Sequence, residues 1–533
     1  MITSSPRLLL SPVTLGLTVL SLIALLLALA SLGNDIAVDT PLLHYWAWLV
    51  AEQGRVPYLE SHEISMPMPL LIHMAIGGLI GYDDLHVRIG DLLLLSLFLW
   101  LTWYWMRPFG RYSAWGACTL FALAYLGQGA AMTLQRDYLG LIPIAGALAL
   151  ATAAQTGKGQ QQSAQKTRNL LLGIGALFSL SAMVKPHSLL ALLPVAWYLH
   201  RYQQLDNRRH IVWLVAGLTL PGLAVLVWLT ASGGLYAFFE MALTYLPLHN
   251  DLNGDIEVLR GAEHWNYMWV NAIHLGGYAR WLGPALFGLY FYLSVQGPNL
   301  QERDRTYLLA GLLLAFALYP VIAGKFWRYH YLPLLYCLVL STSLLLAAPA
   351  KQAGASMLRW LPRLAFFLAL IVGMRHLYLL PGVALSQLTG KVPSETAMNG
   401  RVAALAEFLE REVPATATVQ NLDWGGGTQH ALLRARRPVP TRFMYDYHFY
   451  HHVDSATTQR LRNTFMQELR ATPPDFIVRN TQNQNIRPRG PGTSDRFPEL
   501  DDWLAENYRE LKRLRGYQVL EHRRPTPSDN TGT

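Results

Sequence analysis

The sequence predicts a polytopic α-helical membrane protein with about eleven transmembrane helices, followed by a C-terminal α/β domain outside the membrane. Only 14% of the 533 residues are charged, whereas soluble proteins carry about a quarter. The apolar residues are concentrated ahead of Pro381, in stretches long enough to cross about 30 Å of hydrocarbon. The part of the chain after Pro381 is polar and alternates helix-like with strand-like segments, which is typical of a small α/β domain.

The apolar stretches predict the spans individually. Leu8–Leu32 is longer than a signal peptide and lacks its small-residue cleavage site, so we expect a retained anchor. Segment 33–83 is too polar to cross a membrane and too apolar for an ordinary loop. The other predicted spans are Leu85–Met106, Tyr112–Ala131, Tyr138–Ala154, Asn169–Val184, Ser188–His200, Ile211–Ala231, Trp281–Val295, Tyr307–Ala323, Tyr331–Ala348 and Leu358–Leu380.

Basic residues in the short connections predict the orientation, because cytoplasmic loops are enriched in Lys and Arg. Every second connection is basic, so the N-terminus is expected in the cytoplasm and the C-terminal domain outside. The opposite connections carry isolated ionisable groups, which indicates a shared polar pocket at the outer face. The basic connections contain Arg107 and Arg111; Lys158, Lys166 and Arg168; Arg201, Arg208 and Arg209; Arg303 and Arg305; and Lys351.

The chain is expected to divide into a membrane module at 1–384, an α/β domain at 385–524 and a disordered tail at 525–533. Periodicity within the α/β domain predicts its elements in turn. The predicted helices are Gly400–Glu412, Arg460–Arg470 and Glu499–Leu511, and the predicted strands are Ala417–Trp424, Asp475–Asn480 and Tyr517–Arg523.

The first outer loop, 33–83, contains the most informative pattern. Asp39 is in the position of an N-cap for a helix that runs to about Glu52. Pro67 opens a second apolar helix, which the glycines at 77, 78 and 81 end. Two amphipathic helices at the outer surface would frame a carboxylate at the boundary between lipid and water.

A series of residues in the first outer loop and just after it has the order that characterises the GT-C superfamily of polyprenyl-phosphate-sugar glycosyltransferases. The series is Asp39, Tyr45, Ala47, Gly54, Pro57-Tyr58, Pro67, Pro69 and Arg88. Further matches are Gln135-Arg136-Asp137, Lys185-Pro186-His187 and the KFWRYHYLP segment at 325–333. The sequence therefore resembles bacterial members of this superfamily, such as protein mannosyltransferases and aminoarabinose transferases, over nearly its whole length.

The resemblance implies an inverting enzyme of the bacterial inner membrane that transfers a hexose or pentose from a polyprenyl-phosphate donor. The acceptor would be a periplasmic glycan, glycolipid or protein. By the same resemblance, Asp39 and Asp137 are the catalytic residues, with Asp39 as the general base. The implied donor phosphate ligands are Arg88, Arg136, Lys185, His187, Lys325, Arg328 and His330, because cations neutralise the departing phosphate; Asp35 and Glu63 are secondary candidates.

Two positions depart from the family pattern. Thr40 stands where an acidic residue commonly follows the first-loop Asp, and Ser65–Pro69 replaces a Lys-Pro-Pro motif found in some members that modify lipid A. The sequence therefore leaves open whether a divalent metal is required, and it names neither the sugar nor the acceptor.

Simpler interpretations remain open for several candidates. Asp39 is also explained as a helix cap, Arg88 as a partner of Asp91 one helical turn away, and the lysines at 185 and 325 as anchors that extend towards the interface. The alternative functions are a transporter, an O-antigen ligase or polymerase, and a non-enzymatic scaffold. The sequence has no internal repeat, which disfavours a transporter, and no nucleic-acid recognition motif.

Overall fold

The computed structural model describes residues 11–153, 163–202, 205, 207–294, 298–347, 356–373, 398–482 and 487–523. The predicted boundary at 384/385, the basic residues Lys158 and Lys351, and the tail 525–533 lie outside these ranges. Two compact units make up the chain. The first comprises Met1–Asn34, Arg88–Gly222 and Trp269–Gly390, and the second comprises Asp35–Val87, Leu223–Met268 and Lys391–Thr533. The predicted three-part division of the chain stays a prediction.

The described residues are mostly helical, with a small sheet near the C-terminus. The strands are β1 (Val419–Leu422), β2 (Phe476–Asn480), β3 (Tyr508–Leu514) and β4 (Tyr517–His522). The helices are α1 (Pro12–Ser31), α2 (Thr40–Ala51), α3 (Pro67–Leu79), α4 (Asp84–Met106), α5 (Arg111–Leu126), α6 (Arg136–Ala153), α7 (Ala164–Val184), α8 (Leu192–Arg201), α9 (Arg208–Ala231), α10 (Leu235–Glu240), α11 (Leu246–Asn250), α12 (Gly261–His274), α13 (Leu282–Ser294), α14 (Leu300–Ala323), α15 (Leu332–Ser343), α16 (Ser356–Gly373), α17 (Met398–Arg411), α18 (Thr428–Arg434), α19 (Ala456–Ala471) and α20 (Pro498–Asn507).

A helix occupies the described part of each predicted span; residues 8–10, Ala154, Val295, Ala348 and residues 374–380 lie outside the described ranges. Among the described residues, six helical segments are long and apolar enough to cross a membrane. The prediction of eleven spans is therefore confirmed only as a largely helical, multiply spanning protein. The six segments are Pro12–Ser31, Asp84–Phe109, Ala164–Val184, Arg208–Ala231, Leu300–Ala323 and Arg328–Leu346.

The first unit is built around α15, whose residues are all buried. α5, α13 and α14 pack against α15, and α6 packs along α7. In contrast, α1 buries few of its apolar side chains, as expected for a helix that faces lipid.

The second unit contains the two predicted helices of the first loop, α2 and α3, which pack on each other. Its sheet has the order β1-β2-β4-β3, with β1 and β2 parallel and the other neighbours antiparallel. Phe443, Phe449, Phe465 and Ile477 form much of the core on which the sheet rests.

One predicted helix of the C-terminal region is wrong over its last four residues. Helix α20 ends at Asn507, and Tyr508 begins β3 rather than continuing the helix to Leu511. Antiparallel pairing with β4, across the turn at Gly516, holds this segment as the edge strand of the sheet. Tertiary pairing has therefore overridden the local preference for helix.

Candidate active site

Asp137 lies at the centre of a buried charged cluster in the first unit. It occupies the first turn of α6, and its side chain is fully enclosed. Lys185 Nζ donates a hydrogen bond to Asp137 Oδ1 at 2.9 Å, and the Tyr319 hydroxyl donates to the same oxygen at 2.5 Å. Three elements, α6, the end of α7 and α14, therefore converge on one carboxylate oxygen.

Two further cations lie close to this pair. Lys325, which follows the end of α14 at Gly324, is only 6% exposed. Burial, together with the nearby charges of Lys185 and Arg136, lowers the pKa of Lys325 to about 7. The cluster thus has three basic side chains for one carboxylate. Basic side chains gathered around one buried carboxylate, with the pKa of one of them strongly lowered, mark a candidate functional site.

The histidines of the cluster are held in defined orientations. The His330 imidazole donates from Nδ1 to the Lys325 carbonyl, so its Nε2 faces Asp137 Oδ2 at 4.0 Å. This distance is too long for a hydrogen bond. His187 lies with its ring centroid 5.9 Å from that of Tyr319. The Arg328 side chain is exposed, and its guanidinium lies over the Tyr278 ring. Its exposure leaves its position less constrained than that of the buried Lys325.

Several buried polar atoms in the cluster lack hydrogen bonds to any residue that the structure describes. They include Asp137 Oδ2 and His187 Nδ1, and both amide atoms of Gln135, two residues before Asp137, are buried without partners as well. Leaving buried polar atoms without partners costs about 1–3 kcal/mol each. Polar groups of a bound ligand would satisfy them.

Arg88 holds the chain that leads into the first loop. Its Nε donates to the Asn34 carbonyl at 3.0 Å, and its guanidinium also donates to the Thr133 hydroxyl. Asp91, its suggested partner, interacts electrostatically with Arg88 and also accepts a hydrogen bond from the Tyr125 hydroxyl at 2.6 Å. The contacts of Arg88 thus position the backbone at the start of the first loop.

In the second unit, Asp39 occupies the N-cap position of α2, as predicted, but its side chain makes no capping hydrogen bond. The simple explanation of Asp39 as a helix cap therefore lacks its defining contact. The residue before it, Val38, has a φ of 60°. This conformation is rare for a β-branched residue, and it costs about 1–3 kcal/mol.

The two secondary candidates have contacts typical of structural residues. Asp35 pairs with Arg434 at 2.5 Å. Glu63 is buried and accepts hydrogen bonds from the Ser65 backbone and hydroxyl, at 3.0 and 2.8 Å, and from the Tyr445 hydroxyl at 3.1 Å. Both carboxylates therefore stabilise the first loop within the second unit.

No group of three or more His, Cys, Asp or Glu side chains among the described residues is arranged to hold a metal ion. The mechanism proposed below uses only side chains of this chain.

The sequence patterns did not identify Tyr319 as a site residue, and they assigned no separate role to Gln135. Tyr319 lies six residues before Lys325, near the same end of its span, and this shared position was the available signal. Nothing in the sequence indicated that the Gln135 amide would be buried.

The fold is known from other proteins. ArnT from Cupriavidus metallidurans bound to undecaprenyl phosphate aligns with a TM-score of 0.60 and 13% identity, over 95% of this chain and 98% of that chain. Its apo structure gives a TM-score of 0.59 over the same shares, also at 13% identity. The Archaeoglobus fulgidus oligosaccharyltransferase aligns with a TM-score of 0.41 at 12% identity, over 88% of this chain and 70% of that chain. No family model and no curated protein matches the sequence.

ArnT is an aminoarabinose transferase of the GT-C superfamily. The predicted resemblance is therefore confirmed for the fold. At this identity, the comparison establishes the fold alone, and function has to be argued from the site.

Proposed function

We propose that this protein, which has the GT-C fold, is a membrane glycosyltransferase. It moves a sugar from a polyprenyl-phosphate donor to a glycan, glycolipid or protein of the cell envelope. The observation that carries this proposal is the group of three basic side chains, Arg136, Lys185 and the buried Lys325, around the buried carboxylate of Asp137. The undecaprenyl phosphate in the ArnT structure supports the same class of donor for this chain.

The proposed reaction is a single displacement. Asp39 accepts the proton of the acceptor hydroxyl, and that oxygen attacks the anomeric carbon from the side opposite the phosphate. The bond between the anomeric carbon and the phosphate oxygen breaks as the new glycosidic bond forms, so the configuration inverts. The polyprenyl phosphate leaves with the bonding electron pair.

The cations act on the leaving group. Lys185 and Lys325 neutralise the charge that develops on the phosphate, and this electrostatic stabilisation is strong in a site that excludes water. Asp137 keeps Lys185 oriented through their 2.9 Å hydrogen bond.

The assignment of Asp39 as the base has two supports. Its side chain is not used to cap α2, and the strained Val38 precedes it. Backbone strain of this kind is concentrated at functional sites. We place the reaction on the periplasmic face, with eleven spans and an external C-terminal domain, on the distribution of Lys and Arg.

Binding of undecaprenyl phosphate to the purified protein tests the proposal. Lys185→Ala and Lys325→Ala should each raise the dissociation constant about 10-fold or more, because a hydrogen bond to a charged group contributes about 1.5–3 kcal/mol. Lys512→Ala, which alters an exposed lysine of β3, should leave it unchanged. Equal affinities in all three variants would reassign the two lysines to membrane anchoring.

A further inference from the structure

Basic side chains of α18 pair with aspartates at both ends of the first loop. At the start of the loop, Asp35 pairs with Arg434. Just past its end, Asp84 pairs with Arg434 as well and accepts a hydrogen bond from His430 Nε2 at 2.8 Å. All four residues belong to the second unit. Helix α18 therefore holds the first loop both where it begins and where it ends.

Arg434 makes both of its ion pairs through one nitrogen atom. Its Nη2 donates hydrogen bonds to Asp35 Oδ1, at 2.5 Å, and to Asp84 Oδ2. The side chains of Arg434, Asp35 and Asp84 are 27%, 23% and 17% exposed. Water and salt screen such partly buried pairs less than pairs on the open surface. One guanidinium group therefore ties together two carboxylates from opposite ends of the loop.

Helix α18 is itself fixed in place. The Asp423 carboxylate accepts hydrogen bonds from the Gly426 and Thr428 backbone N–H groups, at 2.9 and 3.1 Å, and from the Thr428 hydroxyl at 2.7 Å. Residues 428–433 are buried, and α18 packs against α17. The guanidinium of Arg434 is therefore carried by a well-supported helix.

The same part of the chain also holds α2, which follows Asp39. Helix α2 packs on α18. The Tyr45 hydroxyl of α2 donates a hydrogen bond to the Arg437 carbonyl at 2.9 Å and accepts one from the Val439 backbone N–H at 2.9 Å. Asp39 therefore lies between two anchors, the ion pair at the start of the loop and helix α2.

Val38 lies between these anchors with its φ of 60°. Its side chain is 55% exposed, so packing of that side chain does not impose the strained conformation. Strained backbone persists only where the surrounding structure over-determines it. The anchors on either side of Val38 supply this constraint. Release of the first anchor would let Val38 relax and would displace Asp39.

We propose that Arg434 is a positioning residue for the transfer reaction. By tying together the two ends of the first loop, it keeps Val38 in its strained conformation and Asp39 in place. The consequence for catalysis rests on the proposed function, whereas the constraint on the loop does not. Asp35→Asn keeps an oxygen that accepts a hydrogen bond from Arg434, so it should release the loop less than the loss of the guanidinium does.

Hydrogen–deuterium exchange of the full-length protein in lipid nanodiscs tests the constraint. Arg434→Gln should speed exchange of the backbone amides of residues 36–43 at least about 10-fold, because hydrogen bonds to two carboxylates are lost. Arg436→Gln is the matched control, since the ion pair of Arg436 with Asp83 at the loop end is largely exposed. It should change the exchange less than about 3-fold. Thermal unfolding confirms that each variant is folded.

Glycosyl transfer tests the consequence for Asp39, with polyprenyl-phosphate-linked sugars and envelope acceptors extracted from the source cells. Arg434→Gln should lower kcat about 10- to 100-fold, the scale expected for a displaced catalytic group, while the affinity for undecaprenyl phosphate stays at the wild-type value. Arg434→Lys should lose less, because it keeps the charge. In a Val38→Gly background, Arg434→Gln should cost several-fold less, since glycine adopts a φ of 60° without strain.

Wild-type exchange of residues 36–43 in Arg434→Gln would overturn the proposal. An equal increase in Arg436→Gln, or an equal cost of Arg434→Gln with valine and with glycine at position 38, would overturn it too. Faster exchange in Arg434→Gln of a protein that does not bind undecaprenyl phosphate would instead reject the proposed function and keep the role of Arg434 in holding the loop.

Discussion

The ammonium group of Lys325 is nearly enclosed by protein, and burial lowers its pKa to about 7. Below this pH the side chain is a cation, and above it the side chain is neutral. A phosphate monoester is already doubly charged above its second pKa of about 6. The affinity for undecaprenyl phosphate should therefore fall as the pH rises from about 7 to about 9, because Lys325 loses its proton.

Lys325→Arg is the matched control for this pH dependence, since arginine stays charged throughout the range. Lys325→Arg should bind the lipid phosphate with an affinity that changes little with pH. A wild-type protein that binds equally well at both ends of the range would show that the charge of Lys325 makes no contribution.

Asp35 and Asp39, four residues apart, show how far the role of a single residue can be predicted from the sequence. Spacing and residue type selected Asp39 and Asp35 as candidates for the base. Only the folded chain shows that Asp35 pairs with Arg434, a residue far along the sequence, and that Asp39 does not cap α2. The partners of a side chain depend on tertiary contacts, which local pattern does not contain.

Helices α7 and α9 approach each other closely enough for their backbones to touch. Gly175 on α7 and Gly217 on α9 meet where the backbones touch. A Cβ atom on Gly217 would lie 2.3 Å from the Leu172 carbonyl oxygen. Gly217→Ala should therefore force the helices apart and lower the thermal midpoint of the detergent-solubilised protein by several degrees.

Gly222→Ala provides the control on the same helix. A Cβ atom there would approach no atom closer than 3.8 Å. This variant should unfold at the wild-type temperature or slightly above it, since alanine favours helix. Equal loss in both variants would contradict the close backbone contact at Gly217 as the cause of the effect.

Most element positions follow from hydrophobic period and from proline and glycine, as α2 and α3 show. The strand after Asn507 could not be predicted in this way, because it is formed through pairing with β4. The short helix α18 was also missed. It has seven residues and depends on Asp423, which binds the loop at its start.

The membrane orientation can be tested on the whole molecule. Alternating basic connections predict that Ser163 is cytoplasmic and Arg523 external. Reporters fused at these residues should therefore give opposite compartment signals, with an active external reporter only at Arg523. The same compartment for both would contradict the proposed periplasmic site.

The division of the chain into two units was not predictable from composition. Hydropathy separates apolar from polar segments, whereas the second unit combines the first loop, part of α9 and the C-terminal domain. Contacts such as that between the Tyr45 hydroxyl and the Arg437 carbonyl, at 2.9 Å, join segments that are distant in sequence.

Glycosyl transfer by purified Asp39→Asn tests the central claim most directly, with polyprenyl-phosphate-linked sugars and envelope acceptors extracted from the source cells. Asparagine keeps the shape of Asp39 but cannot accept the proton, so the rate should fall at least about 100-fold while undecaprenyl phosphate still binds. Asp35→Asn should lose less than about 10-fold, and the wild-type product should have the inverted anomeric configuration. A near wild-type rate in Asp39→Asn, inactivity of Asp35→Asn alone, or a product with retained configuration would contradict the account.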